Sequence, residues 1–336
     1  MKNIKKILLI VLLGSVGFVN AQSDPHFSQY YMHPLWLNPA LTGAINGDYR
    51  VGVINRNQWS SITNAFSTIG LSGDITTSKN INFGLSLLQE TAGDAGYKYF
   101  NGIGSISYSG IRFGREGMKV ISFGMSGGIV SKRFDFSKLL GGGQYLPYKG
   151  FDINSIKVEN FGTGKKTTSV FDMGVGISYF DADPEKKTNF FGGFSANHVT
   201  QPKDPLFATS TNPPTMDIRY TLHGGARVIL SDNSSVVPNA LVMQQGKARE
   251  IMLGGYWQIA VVEDIDLMAG VNYRVKDAIY PYLGLNFNSL IVGLSYDVNA
   301  SQMSTTGAKA ASSYEFSLMY SNKKGTDKGF FKCPRF

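Results

Sequence analysis

Hydrophobic and polar positions alternate along several segments of the chain with a period of two residues. Residues 170–180 are a clear example, and their apolar face consists of Phe171, Met173, Val175, Ile177 and Tyr179. The same alternation recurs in residues 219–230, 264–274 and 290–299. Strands of about 9–11 residues with one apolar face are typical of transmembrane β-barrels, whereas strands of soluble sandwiches usually have about 5–6 residues. The pattern predicts an all-β, transmembrane antiparallel β-barrel, with a soluble β domain as the alternative.

We expect about 14 strands from this alternation, within a barrel that occupies residues 49–321. Their predicted starts are Tyr49, Phe66, Asn80, Tyr97, Met118, Ser169, Lys187, Ile218, Ser235, Arg249, Asp264, Ile279, Leu290 and Ser313. In hydrocarbon every backbone polar group needs an internal partner, so the sheet is expected to close on itself.

The lengths of the connections support an even number of strands. If both chain ends face the periplasm, short turns follow even-numbered strands and the long loops follow odd-numbered ones. Short connections are expected at residues 76–79, 113–117, 182–186, 231–234, 261–263 and 288–289. The three longest connections, at residues 135–168, 199–217 and 300–312, all follow odd-numbered strands and are therefore expected outside the cell.

The first 21 residues have the pattern of a secretory signal peptide. Lys2, Lys5 and Lys6 form a basic start, residues 7–18 are apolar, and Val19-Asn20-Ala21 offers a cleavage site. An anchoring N-terminal helix is the weaker alternative, because the apolar stretch is short. We expect cleavage near Ala21 and an outer-membrane location in contact with outer-membrane lipid.

Composition and charge narrow the classes of function. Charged residues make up 17% of the chain, and the only cysteine, Cys333, rules out an intramolecular disulfide or a multi-cysteine metal site. The formal net charge is +8, and three of these charges belong to the leader lysines, so the mature chain carries +5. A charge this modest on an exported protein gives no reason to expect a nucleic-acid partner.

Residue types that usually carry catalysis or bind cofactors form no recognisable set. The four histidines, His26, His33, His198 and His223, lack metal-ligand spacing. Residues 162–167 resemble a phosphate loop but lack its glycine and hydroxyl positions. Asp264 and Asp266 lie at a strand start, where contact with water accounts for two neighbouring carboxylates without a catalytic role. We expect no enzymatic activity, no catalytic or metal site and no cofactor, and an outer-membrane hydrolase is the least favoured alternative.

Residues 22–48 form an aromatic and proline-rich segment that lacks the strand pattern. It contains Phe27, Tyr30, Tyr31, Trp36, Asn38 and Pro39. Exposing such apolar side chains to water costs about 25 cal/mol per Å², so the segment is expected to pack on something. Since a barrel of this size is too wide for small inward residues to fill, we hypothesise a plug in the periplasmic half of the lumen. A docking surface for a periplasmic partner is the alternative, and the two are compatible.

Polar residues on the first strand are candidates for holding this plug. Arg50, Arg56 and Gln58 point into the lumen if Val51 and Val53 face lipid. We expect Arg56 to donate to backbone carbonyls in residues 38–43, and the alternative is a wall charge countered by Asp74 or Asp266.

Both ends of the mature chain resemble a known family. The resemblance rests on Asp24-Pro25-His26-Phe27-Ser28-Gln29-Tyr30-Tyr31, Pro34-Leu35, Leu37-Asn38-Pro39-Ala40-Leu41-Thr42-Gly43, Arg56-Asn57-Gln58-Trp59, Tyr314-Glu315-Phe316-Ser317-Leu318 and Cys333-Pro334-Arg335-Phe336. These elements are similar to those of the PorP/SprF family, which comprises outer-membrane proteins of the type IX secretion system and of gliding motility in Bacteroidetes.

The resemblance implies a non-enzymatic role in protein export or surface display. Two kinds of partner follow from it: a secreted adhesin-like protein that carries a type IX C-terminal domain, and periplasmic type IX secretion subunits that form the motor ring. The residues alone leave a second function open, an outer-membrane diffusion channel for small solutes.

Two basic regions are candidates for contacting these partners. The loop at residues 135–168 carries Lys149, Lys157, Lys165 and Lys166, which would favour an acidic, cell-surface client; a solvated loop is the equally weighted alternative. The tail at residues 322–336 includes Lys332, Arg335 and Phe336, and is expected to lie in the periplasm, either on a partner or at the barrel mouth.

Overall fold

The structure is a computed structural model that describes residues 24–59, 66–93, 96–135, 138, 145–152, 165–206, 212–262, 264–300 and 312–322. Within these ranges, 14 strands form a closed antiparallel barrel in which sequence neighbours pair and the last strand pairs with the first. The barrel strands are β1 (Tyr49–Gln58), β2 (Phe66–Ile75), β3 (Ile81–Ala92), β4 (Tyr97–Phe113), β5 (Lys119–Asp135), β8 (Lys165–Asp181), β9 (Thr188–Asn197), β10 (Arg219–Ser231), β11 (Ser234–Gln245), β12 (Ala248–Val262), β13 (Ile265–Arg274), β14 (Ala278–Phe287), β15 (Leu290–Asn299) and β16 (Ser313–Ser321). A separate hairpin of β6 (Tyr145–Leu146) and β7 (Gly150–Phe151) lies in the connection between β5 and β8.

The barrel prediction is confirmed in strand number and pairing. Every predicted start lies within one residue of the observed one except that of β8, which begins at Lys165 instead of Ser169. The loop between β5 and β8 is therefore shorter than the expected 135–168, because Lys165 to Thr168 pair with Asp135 to Lys132. This polar stretch lacks the apolar alternation of the lipid-facing part of the strand. The predicted start of β8 was therefore four residues too late.

The distribution of side chains is inverted relative to that of a soluble protein. Large apolar residues point outward and stay exposed, for example Leu283 at 63%, Phe171 at 61% and Val51 at 55%. The inward positions are polar and buried, such as Ser195 and Asn272. An apolar exterior of this extent fits lipid and excludes the alternative of a soluble β domain.

The interior of the barrel contains residues 24–48, which we term the N-terminal segment. It has three short helical pieces: a 3₁₀ turn at Tyr30–Met32, helix α1 at Pro34–Leu37 and a 3₁₀ turn at Pro39–Leu41. Each of the last two begins with a proline, which suits the first helical position because it lacks an N–H. None of the helices in the described ranges is long and apolar enough to cross a membrane.

The N-terminal segment approaches the lumen wall closely. A Cβ atom on Gly124 of β5 would overlap the backbone of Pro39 and Ala40. Glycine at this wall position therefore allows the second 3₁₀ turn to lie directly against the sheet. The core of the molecule is thus the N-terminal segment packed on the inward face of the barrel.

Candidate functional site

The candidate site is the set of contacts that holds the N-terminal segment inside the barrel. At the periplasmic end, Arg50 forms a two-point ion pair with Asp74, with N···O distances of 2.8 and 2.9 Å. Arg50 also donates to the carbonyl of Leu41 at 3.2 Å, and Asp74 accepts from the backbone N–H of Gly43 at 2.7 Å. One arginine and one carboxylate of the wall thus fix the chain where it turns into β1.

Arg56 lies further along β1, toward the external end, and its partners differ from those expected. It donates to the hydroxyl of Ser28 at 2.5 Å and pairs with Asp297 at 2.9 Å and with Glu315. Among the described residues it donates to no carbonyl of residues 38–43. The expected contact was wrong, because six residues of extended strand separate Arg50 from Arg56, roughly 20 Å. The carbonyl contact expected of Arg56 is made by Arg50.

Glu315 and Arg274 complete the site around Ser28. The Glu315 carboxylate accepts from the backbone N–H groups of Ser28 at 2.6 Å and Gln29 at 2.8 Å. Arg274 donates to the Ser28 hydroxyl at 2.6 Å and to Asp297 at 2.9 Å. All of these wall side chains are nearly inaccessible to solvent. Removing one partner from such a buried network leaves an uncompensated charge, which costs several kcal/mol.

A third charged cluster holds Asp24 at the external ends of the strands. Asp24 accepts from Arg219 at 2.9 Å and from His198 Nε2 at 2.6 Å, while His198 Nδ1 contacts Asp172 at 2.7 Å. Burial alone would lower the pKa of His198, but the carboxylates of Asp24 and Asp172 outweigh it and raise that pKa to about 9. Burial raises the pKa of Asp24, and the charges of His198 and Arg219 more than reverse this, so that its pKa falls. At neutral pH the cluster therefore holds an imidazolium between two carboxylates.

Neutral hydrogen bonds hold the middle of the N-terminal segment. Asn38 donates through Nδ2 to the carbonyls of Ile177 at 3.0 Å and Phe194 at 3.3 Å, and its Oδ1 accepts from Ala40. Ser195 donates to the carbonyl of Leu37 at 2.8 Å. The wall thus satisfies polar groups of Leu37 and Asn38 that the short helical turns leave free, as burial requires.

The aromatic residues of the N-terminal segment pack inside the lumen. Tyr31 contacts the rings of Tyr256 and Tyr282, and Tyr30 donates to Asn239 at 2.9 Å. Burial raises the pKa of both Tyr30 and Tyr31, so these phenols stay neutral. Two further contacts are Trp36 beneath the Arg219 guanidinium, at 4.1 Å, and Phe27 against His33, at 5.7 Å between ring centroids.

The external end of the lumen is open. A cavity of about 640 Å³, which we term the vestibule, is lined by Asp24, Arg56, Gln58, Trp59, Glu90 and Tyr99, among others. Leu206 and Met216, from the described parts of the connection between β9 and β10, also line it, and Asp204 of the same connection pairs with Lys132 at 2.7 Å. The N-terminal segment therefore extends from the external strand ends to the periplasmic end. Its expected restriction to the periplasmic half was wrong, because the Asp24 cluster lies at the external ends.

The comparisons with known proteins identify the family. Residues 19–320 match the family described as type IX secretion system membrane protein PorP/SprF. The chain belongs to this family. The comparison with curated proteins finds no match.

Solved structures similar to this PorP/SprF protein are distant barrels. The toluene transporter TbuX of Ralstonia pickettii is 9% identical, with 85% of this chain and 92% of that chain covered and a TM-score of 0.48. The toluene transporter TodX of P. putida is 12% identical, with 85% and 92% covered and a TM-score of 0.47. A Pseudomonas aeruginosa FadL homologue is 11% identical, with 84% and 92% covered and a TM-score of 0.41.

Of the lysines predicted to face a client, the described ones, Lys149, Lys165 and Lys166, are not brought together with the lumen site of this PorP/SprF barrel. Lys149 is exposed beside Asp152, at 2.8 Å, on the β6–β7 hairpin. Lys165 and Lys166 are the first two residues of β8 and do not belong to the preceding loop. Four of the predicted residues lie outside the described ranges: Lys157, Lys332, Arg335 and Phe336.

Sequence reasoning missed several residues that hold the N-terminal segment, notably Asp24, His198, Arg219 and Arg274. Inward positions of barrel strands are normally polar, but a buried arginine needs an anionic or carbonyl partner, and this signal was available for Arg219 and Arg274. Nothing in the sequence linked Asp24 to His198, which lies 174 residues away. Across the described ranges, no group of three or more His, Cys, Asp or Glu side chains is arranged to hold a metal ion.

Proposed function

We propose that this outer-membrane protein acts as a non-enzymatic barrel that docks its partners at its two ends and keeps its lumen closed. The observation that carries this proposal is the N-terminal segment, fixed inside the barrel by the buried clusters around Arg56 and Asp24. Displacing this segment would leave several buried charges without partners. An exported polypeptide would therefore bind at the mouths and would not pass through this lumen.

At the external end we infer a surface for a secreted adhesin-like protein that carries a type IX C-terminal domain. The β6–β7 hairpin supports this, because Tyr148 is fully exposed and Tyr145 is 52% exposed. Exposed tyrosines are frequent anchors in protein interfaces. Lys149, with Lys157 in the same connection and Lys165 and Lys166 at the start of β8, would favour an acidic face on the client.

At the opposite end we propose contact with periplasmic type IX secretion subunits. The basic tail at residues 322–336, with Lys332, Arg335 and Phe336, follows β16 and starts on that side. The proposal predicts that removing residues 323–336 releases these subunits while leaving the external client bound. Quantitative mass spectrometry of gently solubilised complexes measures how much of the periplasmic subunits and how much of the external client remain bound.

The N-terminus fits the same proposal. We propose cleavage near Ala21, which starts the mature chain two residues before the buried Asp24. Intact-mass measurement of the purified barrel checks this, and a mass that includes residues 1–21 would contradict it.

Co-purification tests the docking role. We expect the full-length barrel to retain a large exported protein in gentle detergent, and Tyr148→Ser to lose it. The matched control is Lys79→Ser, an exposed residue of the periplasmic turn between β2 and β3, which should retain the client. Equal recovery by both variants would contradict the external site.

Conductance in planar bilayers separates docking from a diffusion channel. A closed lumen predicts little conductance for the full chain and a clear increase after deletion of residues 24–43. If the full chain already conducts and the deletion changes nothing, the lumen is open and the barrel is a diffusion channel for small solutes.

A further inference from the structure

The vestibule wall contains a row of side chains at one level on neighbouring strands. In the strand register, Arg56 is opposite Thr68, Thr68 opposite Glu90, Glu90 opposite Tyr99, and Tyr99 opposite Lys132. Directly paired residues of an antiparallel sheet point to the same face. All five side chains therefore face the lumen, and we term them the vestibule row.

The charges of the vestibule row are neutralised with one exception. Arg56 pairs with Asp297 and Glu315, and Lys132 pairs with Asp204. Glu90 accepts a hydrogen bond from the Thr68 hydroxyl at 3.1 Å, and no lysine or arginine of the described ranges forms an ion pair with it. A carboxylate is thus presented to the vestibule without a counter-ion.

Tyr99 provides a second, independent observation. Its side chain is 2% exposed and lines the vestibule, and its hydroxyl oxygen has no hydrogen-bond partner among the described residues. A buried polar atom without a partner is costly, and Tyr99 is directly opposite Glu90 in the strand register, so a donor that reached this oxygen would be stabilised.

Aromatic side chains line the vestibule together with Glu90, beside the ion-paired Arg56 and Lys132. Trp59, Phe66 and Tyr97 line the same cavity, and the rings of Trp59 and Phe66 are in edge contact, with 5.2 Å between their centroids. Aromatic faces attract cations through the negative potential above the ring. This part of the vestibule therefore combines one carboxylate, one hydroxyl acceptor and several aromatic rings.

We propose that Glu90, Tyr99 and the adjacent rings form a binding site for an organic cation, an alkylammonium or guanidinium group. The carboxylate supplies the charge, the tyrosine oxygen accepts one N–H, and the rings stabilise the cation on its other sides. An anion would be repelled by Glu90, and a neutral ligand would leave the carboxylate uncompensated. Divalent metal ions prefer several oxygen ligands, which this single carboxylate does not provide.

Two sources of the cation share this chemistry: a free amine, and a lysine or arginine side chain of a polypeptide at the external mouth. A cavity of about 640 Å³ admits either head group with part of its alkyl chain. The site does not depend on the docking function proposed above, because a small cation can be tested without any client protein.

Isothermal titration of the full barrel in detergent tests the site with two probes, agmatine and the capped tripeptide Gly-Arg-Gly. We expect both to bind, Glu90→Gln to weaken binding by about tenfold or more, and Tyr99→Phe by about threefold, since a charge-assisted bond is the stronger of the two. The matched control, Glu185→Gln, changes the same side chain at an exposed periplasmic turn and should bind like the wild type. Tighter binding of the peptide identifies a polypeptide source, and tighter binding of agmatine identifies a free amine.

The proposal fails if neither probe binds the wild type, or if Glu90→Gln binds both probes as tightly as the wild type. Heat-dependent migration in SDS gels shows whether each variant has folded. If Glu90→Gln does not fold, the affinity of Tyr99→Phe for the two probes is the test instead. Binding by Tyr99→Phe that is as tight as that of the wild type would contradict the proposed site. Quenching of Trp59 fluorescence by agmatine, absent in Trp59→Phe, is expected because this ring lies in the vestibule.

Discussion

The two halves of the lumen hold the same segment by different physical means. In the periplasmic half, apart from the Arg50–Asp74 pair, side chains such as Leu41 and Asn38 fill space and form neutral hydrogen bonds with the wall. In the external half, Ser28 and Asp24 are held by charged groups, and a cavity remains beside them. The periplasmic half therefore holds the N-terminal segment mainly by close packing, and the external half holds it mainly by interactions between ionised groups. The comparison indicates that the closed part of the barrel tolerates pH change, whereas its external end responds to it.

Arg56→Met is expected to have the largest effect, because it leaves Asp297 and Glu315 buried with less positive charge. The expected loss is about 3–5 kcal/mol of unfolding free energy. Urea unfolding in detergent, followed by tryptophan fluorescence, measures it. Arg56→Lys keeps the charge and should lose less; if the two variants lose equally, charge is not what holds this end.

Leu41→Ala tests the half that depends on shape. Leu41 is 2% exposed inside the lumen, and deletion of a buried leucine side chain typically costs about 2–4 kcal/mol through lost contacts and the cavity left behind. The same unfolding assay applies, repeated at pH 6 and pH 9.5. The loss should be equal at both pH values, and a strong pH dependence would contradict the division between the halves.

His198 provides the pH response of the external half. Its pKa is raised to about 9 in the folded protein by Asp24 and Asp172, against 6.5 in an unfolded chain. The stabilisation is complete below about pH 6.5 and is lost as pH rises through about 9, amounting to about 3 kcal/mol. Arg219, which also pairs with Asp24, keeps its charge and preserves part of the contact.

The measurement for His198 is unfolding free energy between pH 6 and pH 9.5, with His198→Gln as the comparison. The variant should be less stable than the wild type at pH 6, and the difference should shrink as pH rises. A difference that stays constant over this range would show that the imidazolium does not stabilise the cluster.

Lys149→Ala should have the smallest effect. Its ion pair with Asp152 is exposed to water, which screens the attraction, so the pair contributes little to stability. The unfolding midpoint is expected to stay unchanged within error. A loss comparable to that of Leu41→Ala would mean that the β6–β7 hairpin contributes to barrel stability.

The strands that form the barrel wall could be predicted from the sequence, whereas the contacts in the barrel interior could not. Alternation predicts the strands well because every second side chain of a barrel strand must face lipid. For this reason the start of the closing strand at Ser313 was predicted correctly. The path of residues 24–48 has no such periodicity, so the partner of Arg56 could not be derived from spacing. The Asp24 contact with Arg219 joins positions 195 residues apart, and only the closed sheet brings them together.

Glu315 belongs to the last strand and Arg56 to the first, and both hold Ser28. The carboxylate that receives the Ser28 and Gln29 amides is therefore in place only after β16 has joined β1 during assembly. A chain in which this seam is still open lacks the Glu315 acceptor beside Arg56, so the Ser28 and Gln29 amides have no carboxylate to bind. Closure of the sheet between its first and last strands is therefore coupled to fixation of the N-terminal segment.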